Sequence, residues 1–289
     1  MGHTPLSVVK MTGEKVEFNE SKLRRSLERS GASDVIIQQV INEVQESLYD
    51  GISTKEIYKL AFSLLRKSSR PIAARYKLKK AILKLGPTGF PFEKFVGKIL
   101  NYQGFRTSVN IIIPGHCVDH EVDVIAEKGD QYFMIECKFH SDQGRHCDVK
   151  VPLYIHSRFI DIERQWLKKE EHENKFHQGW IFTNTRFTSD AIKYGSCAEL
   201  RLVSWDYPKG SSLKELIDAS GLHPITCMTT LSKSEKQNLL SKEIVLSVEL
   251  CQDPEVLTSI GISKQRHQKI LNEANALCNM GRATNLSYE

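Results

Sequence analysis

The chain has no long apolar run, so a membrane-spanning helix is not expected. Behind Met1 there is no basic segment leading into an apolar core, which argues against a secretory signal. Leu6 stands where myristoylation would need Ser or Thr. The 7 cysteines are odd in number and scattered, with no Cys-x-x-Cys pair. That argues against a disulfide framework or a structural zinc ribbon, and for a reducing cytoplasm. No internal repeat and no low-complexity tract occurs. A large surplus of one charge is also missing: 40 basic residues stand against 35 acidic ones, a net +5. Such a surplus permits a nucleic-acid or nucleotide partner without requiring one.

What is present is enough for more than one domain. The 289 residues are 40% hydrophobic and 26% charged, which allows a sizeable core. Residues 1–88 hold 16 basic and 9 acidic residues, net +7. Residues 89–208 hold 15 and 17, and residues 209–289 hold 9 and 9. A basic coat over the whole surface is therefore excluded. Two stretches rich in helix breakers, residues 86–91 and 207–212, divide the chain at the same places. The expected domains are 1–88, 89–208 and 209–289.

Residues 7–10 and 16–18 flank Met11-Thr12-Gly13-Glu14 and predict a hairpin. Asn19 is placed to cap a helix in which Leu23 and Leu27 share a face. A second helix is expected over 35–49, with Val40, Val44 and Leu48 at fourfold spacing. Ser53 or Thr54 caps a third, and Pro71 opens a fourth over 72–85 that stops at Gly86. The middle region reads as helix 92–102, strands 108–113, 121–126 and 132–138, helix 153–169, strand 179–183, helix 189–194 and strand 201–204. That order implies an α/β fold, a mixed sheet covered by helices on both faces. The tail has helical patches at 213–219 and 233–240 and one after Ser263, with too little apolar content for much core of its own.

The chemistry lies in the middle region. Alternate residues of a strand share a face, so Glu136 and Lys138 point one way while Ile135 and Cys137 point the other. A two-residue turn at Lys128-Gly129 or at Gly129-Asp130 brings Asp123 to the face of Glu136 in either register, about 5–8 Å away. Two carboxylates that close can share a hard divalent cation, Mg2+ or Mn2+. The cation would activate water and polarise a phosphodiester, with Lys138 orienting or deprotonating that water. The backbone carbonyl of Cys137 is a further candidate metal ligand. The plain alternative is a solvated sheet face with an ordinary Glu–Lys pair.

The arrangement Glu93, Asp123, Glu136-x-Lys138 resembles the PD-(D/E)xK nuclease superfamily, and within it the Mrr-like restriction endonucleases. The runs Phe92-Glu93-Lys94-Phe95-Val96, Gly104-Phe105, Gly179-Trp180-Ile181-Phe182-Thr183-Asn184, Phe187-Thr188 and Ala191 look like its first helix, next strand, later strand and helix. The resemblance covers about residues 90–206. It implies that Asp123 and Glu136 are metal ligands, Lys138 the catalytic lysine and Glu93 an auxiliary acid. Mrr-like proteins often carry Gln where this chain has Glu136; Glu fits the wider superfamily pattern.

The first region is similar to an ATP-cone, in Val9-Lys10-x-x-Gly13, Phe18-Asn19-x-x-Lys22-Leu23, Ser26-Leu27, Ser53-Thr54-x-x-Ile57 and Tyr76. The resemblance implies an adenine nucleotide, ATP or dATP, as regulatory ligand. Val9, Lys10, Lys22 and the backbone around Asn19 would meet phosphates and base, and Thr54 would line the pocket. Met11 departs from a second basic residue common in that family. A basic helical DNA-binding domain is the alternative for a net +7 segment.

Three further features have plainer readings. His116-Cys117 with His120, and His140 with His146-Cys147, match no common zinc spacing and read as surface or substrate-contacting groups. Ile260-Gly261-Ile262-Ser263 reads as a helix-hairpin-helix turn or as a plain helix cap.

The expectation is a nucleotide-regulated, Mg2+-dependent DNA endonuclease in restriction or defence. It has an N-terminal helical ATP-cone bundle with a short β-hairpin, a restriction-endonuclease-like mixed sheet and a small helical extension. The expected partners are DNA and an adenine nucleotide, with no membrane and with a homodimer or higher oligomer formed through the cone. The alternatives are a nucleotide-sensing DNA-binding regulator on an inactive nuclease fold, and a structure-selective repair or resolvase nuclease.

Overall fold

Val8 and Val16 pair across the expected hairpin, which opens the computed structural model. The model describes residues 6–10, 12–172 and 175–284, with only the backbone of Glu171 and of residues 280–284. The segment before Leu6 and the departure at Met11 lie outside the described residues. Strands β1 (Ser7–Val9) and β2 (Lys15–Glu17) are antiparallel. Helix α1 (Glu20–Arg29) starts at Asn19, whose side chain accepts the Lys22 N–H at 3.0 Å. Helix α2 (Asp34–Glu46) stops short of residue 49, and Leu48 falls outside it. A two-residue strand β3 (Ile52–Ser53), not visible in the sequence, adds parallel to β1.

Ser53 caps helix α3 (Thr54–Ser68) in a reciprocal box with Glu56, so Thr54 is its first helical residue. The single helix expected over 72–85 is two, α4 (Arg70–Tyr76) and α5 (Leu78–Ile82), divided at Lys77. No Gly or Pro stands there. The Lys77 ammonium lies 3.1 Å from the Met228 carbonyl, a contact made across 151 residues.

In the middle region helix α6 (Phe90–Tyr102) leads into β4 (Arg106–Pro114), β5 (Asp119–Lys128) and β6 (Gln131–Lys138). Lys128 pairs with Gln131, so the turn is Gly129-Asp130, with Gly129 at φ +58. Next come β7 (His146–Cys147), α7 (Lys150–Trp166), β8 (Phe176–Thr183), β9 (Arg186–Phe187), α8 (Ser189–Cys197) and β10 (Arg201–Val203). The main sheet runs β10-β8-β6-β5-β4. Its β4–β6 part is antiparallel and its β6-β8-β10 part parallel. The chain is therefore α/β with a mixed sheet.

Each face of the sheet has its own core. Val124, Phe133, Ile135, Trp180 and Phe182 pack toward α6. Ile125, Met134 and Ile181 pack toward α7, where Ile155, Phe159, Ile162 and Trp166 recur on one side. Gly97 lets α6 come close, since a Cβ there would lie 3.1 Å from Val109 Cγ2.

The tail holds α9 (Leu213–Ser220), α10 (Lys233–Ser241), α11 (Glu249–Gln252), α12 (Glu255–Ser259) and α13 (Lys264–Thr284). It contributes Ile217, Met228, Leu239, Leu257, Ala274 and Leu277 to the α6-side core, as does α5 with Leu78, Ala81 and Ile82. Its apolar residues thus complete a shared core, each large one stabilising by roughly 1.5–3 kcal/mol on burial. Gly261, at φ +81, ends α12: its N–H reaches Thr258 O and that of Ile262 reaches Leu257 O. These two bonds make a Schellman helix end between α12 and α13.

Candidate active site

Asp123 and Glu136 meet where the β5–β6 ladder stops. The last backbone partners are Val124 and Ile135, and the next pair in that register is Asp123 with Glu136. Beyond it the Cys137 N–H donates to Asp123 Oδ2 at 2.7 Å, so a side chain replaces the strand partner. Glu136 is 5% exposed. Its Oε1 pairs with the Lys138 ammonium and its Oε2 accepts from Arg158 at 2.7 Å. Arg158, on α7, also donates to the Glu121 carbonyl. Glu136 thus carries two cationic partners, Lys138 from its own strand and Arg158 because α7 crosses this face of the sheet. The Cys137 thiol lies in the α6-side core, as its alternation requires.

Glu93 enters from the first turn of α6. Burial, then repulsion from Asp123, Glu136 and Glu121, pushes its carboxyl up to about 7. Burial and then Glu136 push Asp123 up to about 6, against the Cys137 N–H bond and the pull of Lys138 and Arg158. Burial pulls the Lys138 ammonium down, but Glu136 and Asp123 outweigh it and the net direction is up. Glu93, Asp123, Glu136 and Lys138 thus act on one another at one end of the sheet. Carboxyls raised together by burial and mutual repulsion mark a candidate functional cluster.

Among the described residues no group of three or more His, Cys, Asp or Glu is arranged to hold a metal ion. The donors nevertheless fit a hard cation by chemistry: all are carboxylate oxygens, and their mutual repulsion is what a divalent charge would relieve. Holding it through Glu136 requires Lys138 or Arg158 to yield an oxygen. Sequence reasoning missed Arg158. Its only signal was an arginine beside the buried stripe Ile155, Phe159, Ile162 of a helix facing the site strand.

The histidines lie in other contacts. His120 Nε2 is 2.8 Å from Asp161 Oδ2, and His140 Nε2 is 3.4 Å from Cys147 Sγ. The nucleotide residues gather around β1. Pairing with β3 sets Val9 beside Ser53, next to Thr54. Lys10 is ion-paired with Glu14 at 2.8 Å, while Asn19 and Lys22 form the first turn of α1. Thr54 lines a cavity of about 480 Å3 with Lys55, Tyr58 and Lys80, closed on the far side by Ser141, Asp142 and Gln143. That loop follows Lys138 directly. No helix of the described residues is long and apolar enough to cross a membrane.

Comparison with known proteins agrees with part of this. Residues 6–83 match the ATP cone domain family, so the N-terminal region is an ATP-cone, a nucleotide-binding module. Residues 223–278 match the family described as AF1548-like, C-terminal. An uncharacterized protein of Archaeoglobus fulgidus is 34% identical over 184 residues, 62% of this chain and 97% of that protein. A solved structure, titled as that of a protein of unknown function AF1548, is 32% identical with a TM-score of 0.55, covering 66% of this chain and 99% of its own.

Proposed function

This chain belongs to the AF1548-like family, and we propose that it is a nucleotide-regulated, divalent-cation-dependent DNA endonuclease of the Mrr-like PD-(D/E)xK kind, acting in restriction or defence. The observation that carries this reading is the convergence of Glu93, Asp123, Glu136 and Lys138 on one end of one sheet. Asp123 and Glu136, with the Cys137 carbonyl, would hold Mg2+ or Mn2+, which when bound supplies charge neutralisation and a more acidic water. Lys138, released from Glu136, would donate to a phosphate oxygen and stabilise the charge that builds there. Glu93 is poised near neutrality to hold or accept a proton. Arg158 fixes the rotamer of Glu136.

The ATP-cone gives nucleotide control a physical route. A ligand at Thr54 would press on residues 141–143, which continue from Lys138. A homodimer would place two such sites for the two DNA strands.

Supercoiled plasmid with Mg2+, with and without ATP or dATP, is the direct test. Nicking or linearisation that responds to the nucleotide is expected. Lys138→Ala and Asp123→Ala should each lower the rate by roughly 10²–10³ or more, with the fold intact. Cleavage by both variants at the parental rate would sink the assignment. The double ion pair at Glu136 favours one second reading, a nucleotide-sensing DNA-binding regulator on a silent nuclease fold. That reading expects nucleotide-dependent DNA binding and no cleavage under any metal.

A further inference from the structure

Five lysines line one cavity of about 680 Å3 between α3 and α5 of the ATP-cone and α10 of the tail: Lys77, Lys80, Lys84, Lys233 and Lys236. Among the described residues that line it there is no Asp or Glu. Lys77 and Lys236 both donate to one acceptor, the Met228 carbonyl, at 3.1 and 2.5 Å. Two half-buried ammonium groups are thereby held side by side. The carboxylate that acts on both, Glu273, is already the acceptor for the backbones and hydroxyls of Thr229 and Thr230. Burial, and then Lys77, pull Lys236 down to about 8; burial pulls Lys77 and Lys80 down as well.

Aromatic faces carry part of this charge. Lys80 Nζ lies 3.2 Å from the centroid of the Tyr58 ring, and Lys77 Nζ 5.6 Å from that of Phe62. Lys84 and Lys233 have no carboxylate partner among the described residues and are exposed at the rim. The walls are tied together, since Thr226 Oγ1 donates to Ala81 O at 2.8 Å across the seam.

We propose that this cavity binds the polyphosphate of a nucleotide-sized ligand and that the ligand bridges the ATP-cone to the AF1548-like C-terminal domain. The volume falls in the range of small-molecule pockets. The lysines converge on a concavity from two domains, where a duplex-binding surface would spread them as a stripe on one face. The site is separate from the residues around β1: Lys10, Lys22 and Thr54 do not line it, and two of its five lysines, Lys233 and Lys236, come from the tail. Tyr58 and Lys80 also line the Thr54 cavity, so the two share a wall. The inference does not depend on the nuclease reading.

The test is calorimetric titration of the full chain with tripolyphosphate, in a Lys10→Gln/Lys22→Gln background that cripples the hairpin site. Binding should persist there. It should weaken roughly tenfold or more when Lys77→Gln and Lys236→Gln are added, each removing a charge-assisted contact. Lys233→Gln, at an exposed rim position, should weaken it by a smaller factor and keeps the test open if the buried pair is needed for folding. No tripolyphosphate binding in the background, or binding that these variants leave unchanged, overturns the proposal. So does a short DNA duplex whose binding depends on Lys236 while tripolyphosphate binding does not.

Discussion

Like charges are crowded in two places in this molecule, and the fold treats them differently. At the end of β5 and β6 three carboxylates meet, and the protein supplies its own answer: Lys138 and Arg158 on Glu136, a backbone N–H on Asp123, and a carboxyl on Glu93 raised to about 7. At the seam of the cone and the tail, lysines meet, and a carbonyl and two aromatic rings share the load. An acid can escape crowding by keeping its proton at neutral pH; a lysine must lose one, which costs more at that pH unless burial is deep. The acidic site is therefore partly neutral and internally paired. The basic site stays charged and open to an anion from solution.

The largest expected effect falls on the paired side. Arg158→Ala leaves the buried Glu136 with one cation, and stability should drop by about 3 kcal/mol. Urea denaturation of the variant against Arg158→Lys measures it. A drop of no more than a few tenths, or an equal drop in Arg158→Lys, would show that the guanidinium does not hold Glu136 and would erase the contrast.

The second test uses pH. A carboxyl whose folded value is raised stabilises fully below its unfolded value and loses that contribution as pH rises through the folded one. For Glu93 this window runs from 4.5 to about 7. Glu93→Gln should melt higher than the parent at pH 8, with the gap closing toward pH 4.5, and Mg2+ should narrow it. A gap that is flat in pH would mean that Glu93 is not repelled by Asp123 and Glu136.

Salt gives the smallest effect and sharpens the contrast. Between about 0.05 and 0.5 M NaCl the screening length falls severalfold, so tripolyphosphate binding at the exposed rim lysines should weaken. The Arg158→Ala stability gap, set by a buried pair, should barely move. Equal sensitivity of both would remove the distinction between an internal and an open site.

Much of the acidic site was legible because strand alternation is a local rule. Asp123, Glu136 and Lys138 fall on one face whichever two-residue turn is used, and only the pairing of Lys128 with Gln131 chose between the turns. Asn19 and Ser53 were legible as caps for the same reason, since the groups they satisfy lie three residues away. Arg158 was not, because its partner is 22 residues distant and on another element. The division at Lys77 was not legible either, since no Gly or Pro marks it.

By itself the sequence determined the hairpin, the start of α1 at Asn19, the face shared by the three site residues and the excess of lysines in the first 88 residues. Those follow from periodicity and capping, which act over a few residues. Tertiary structure alone decided that Glu136 is paired from α7, that α5 and the tail complete one core with the sheet, and that lysines 77 and 236 converge on one carbonyl. Electrostatic partners and buried cores are set by distance in space, and spacing along the chain does not record it.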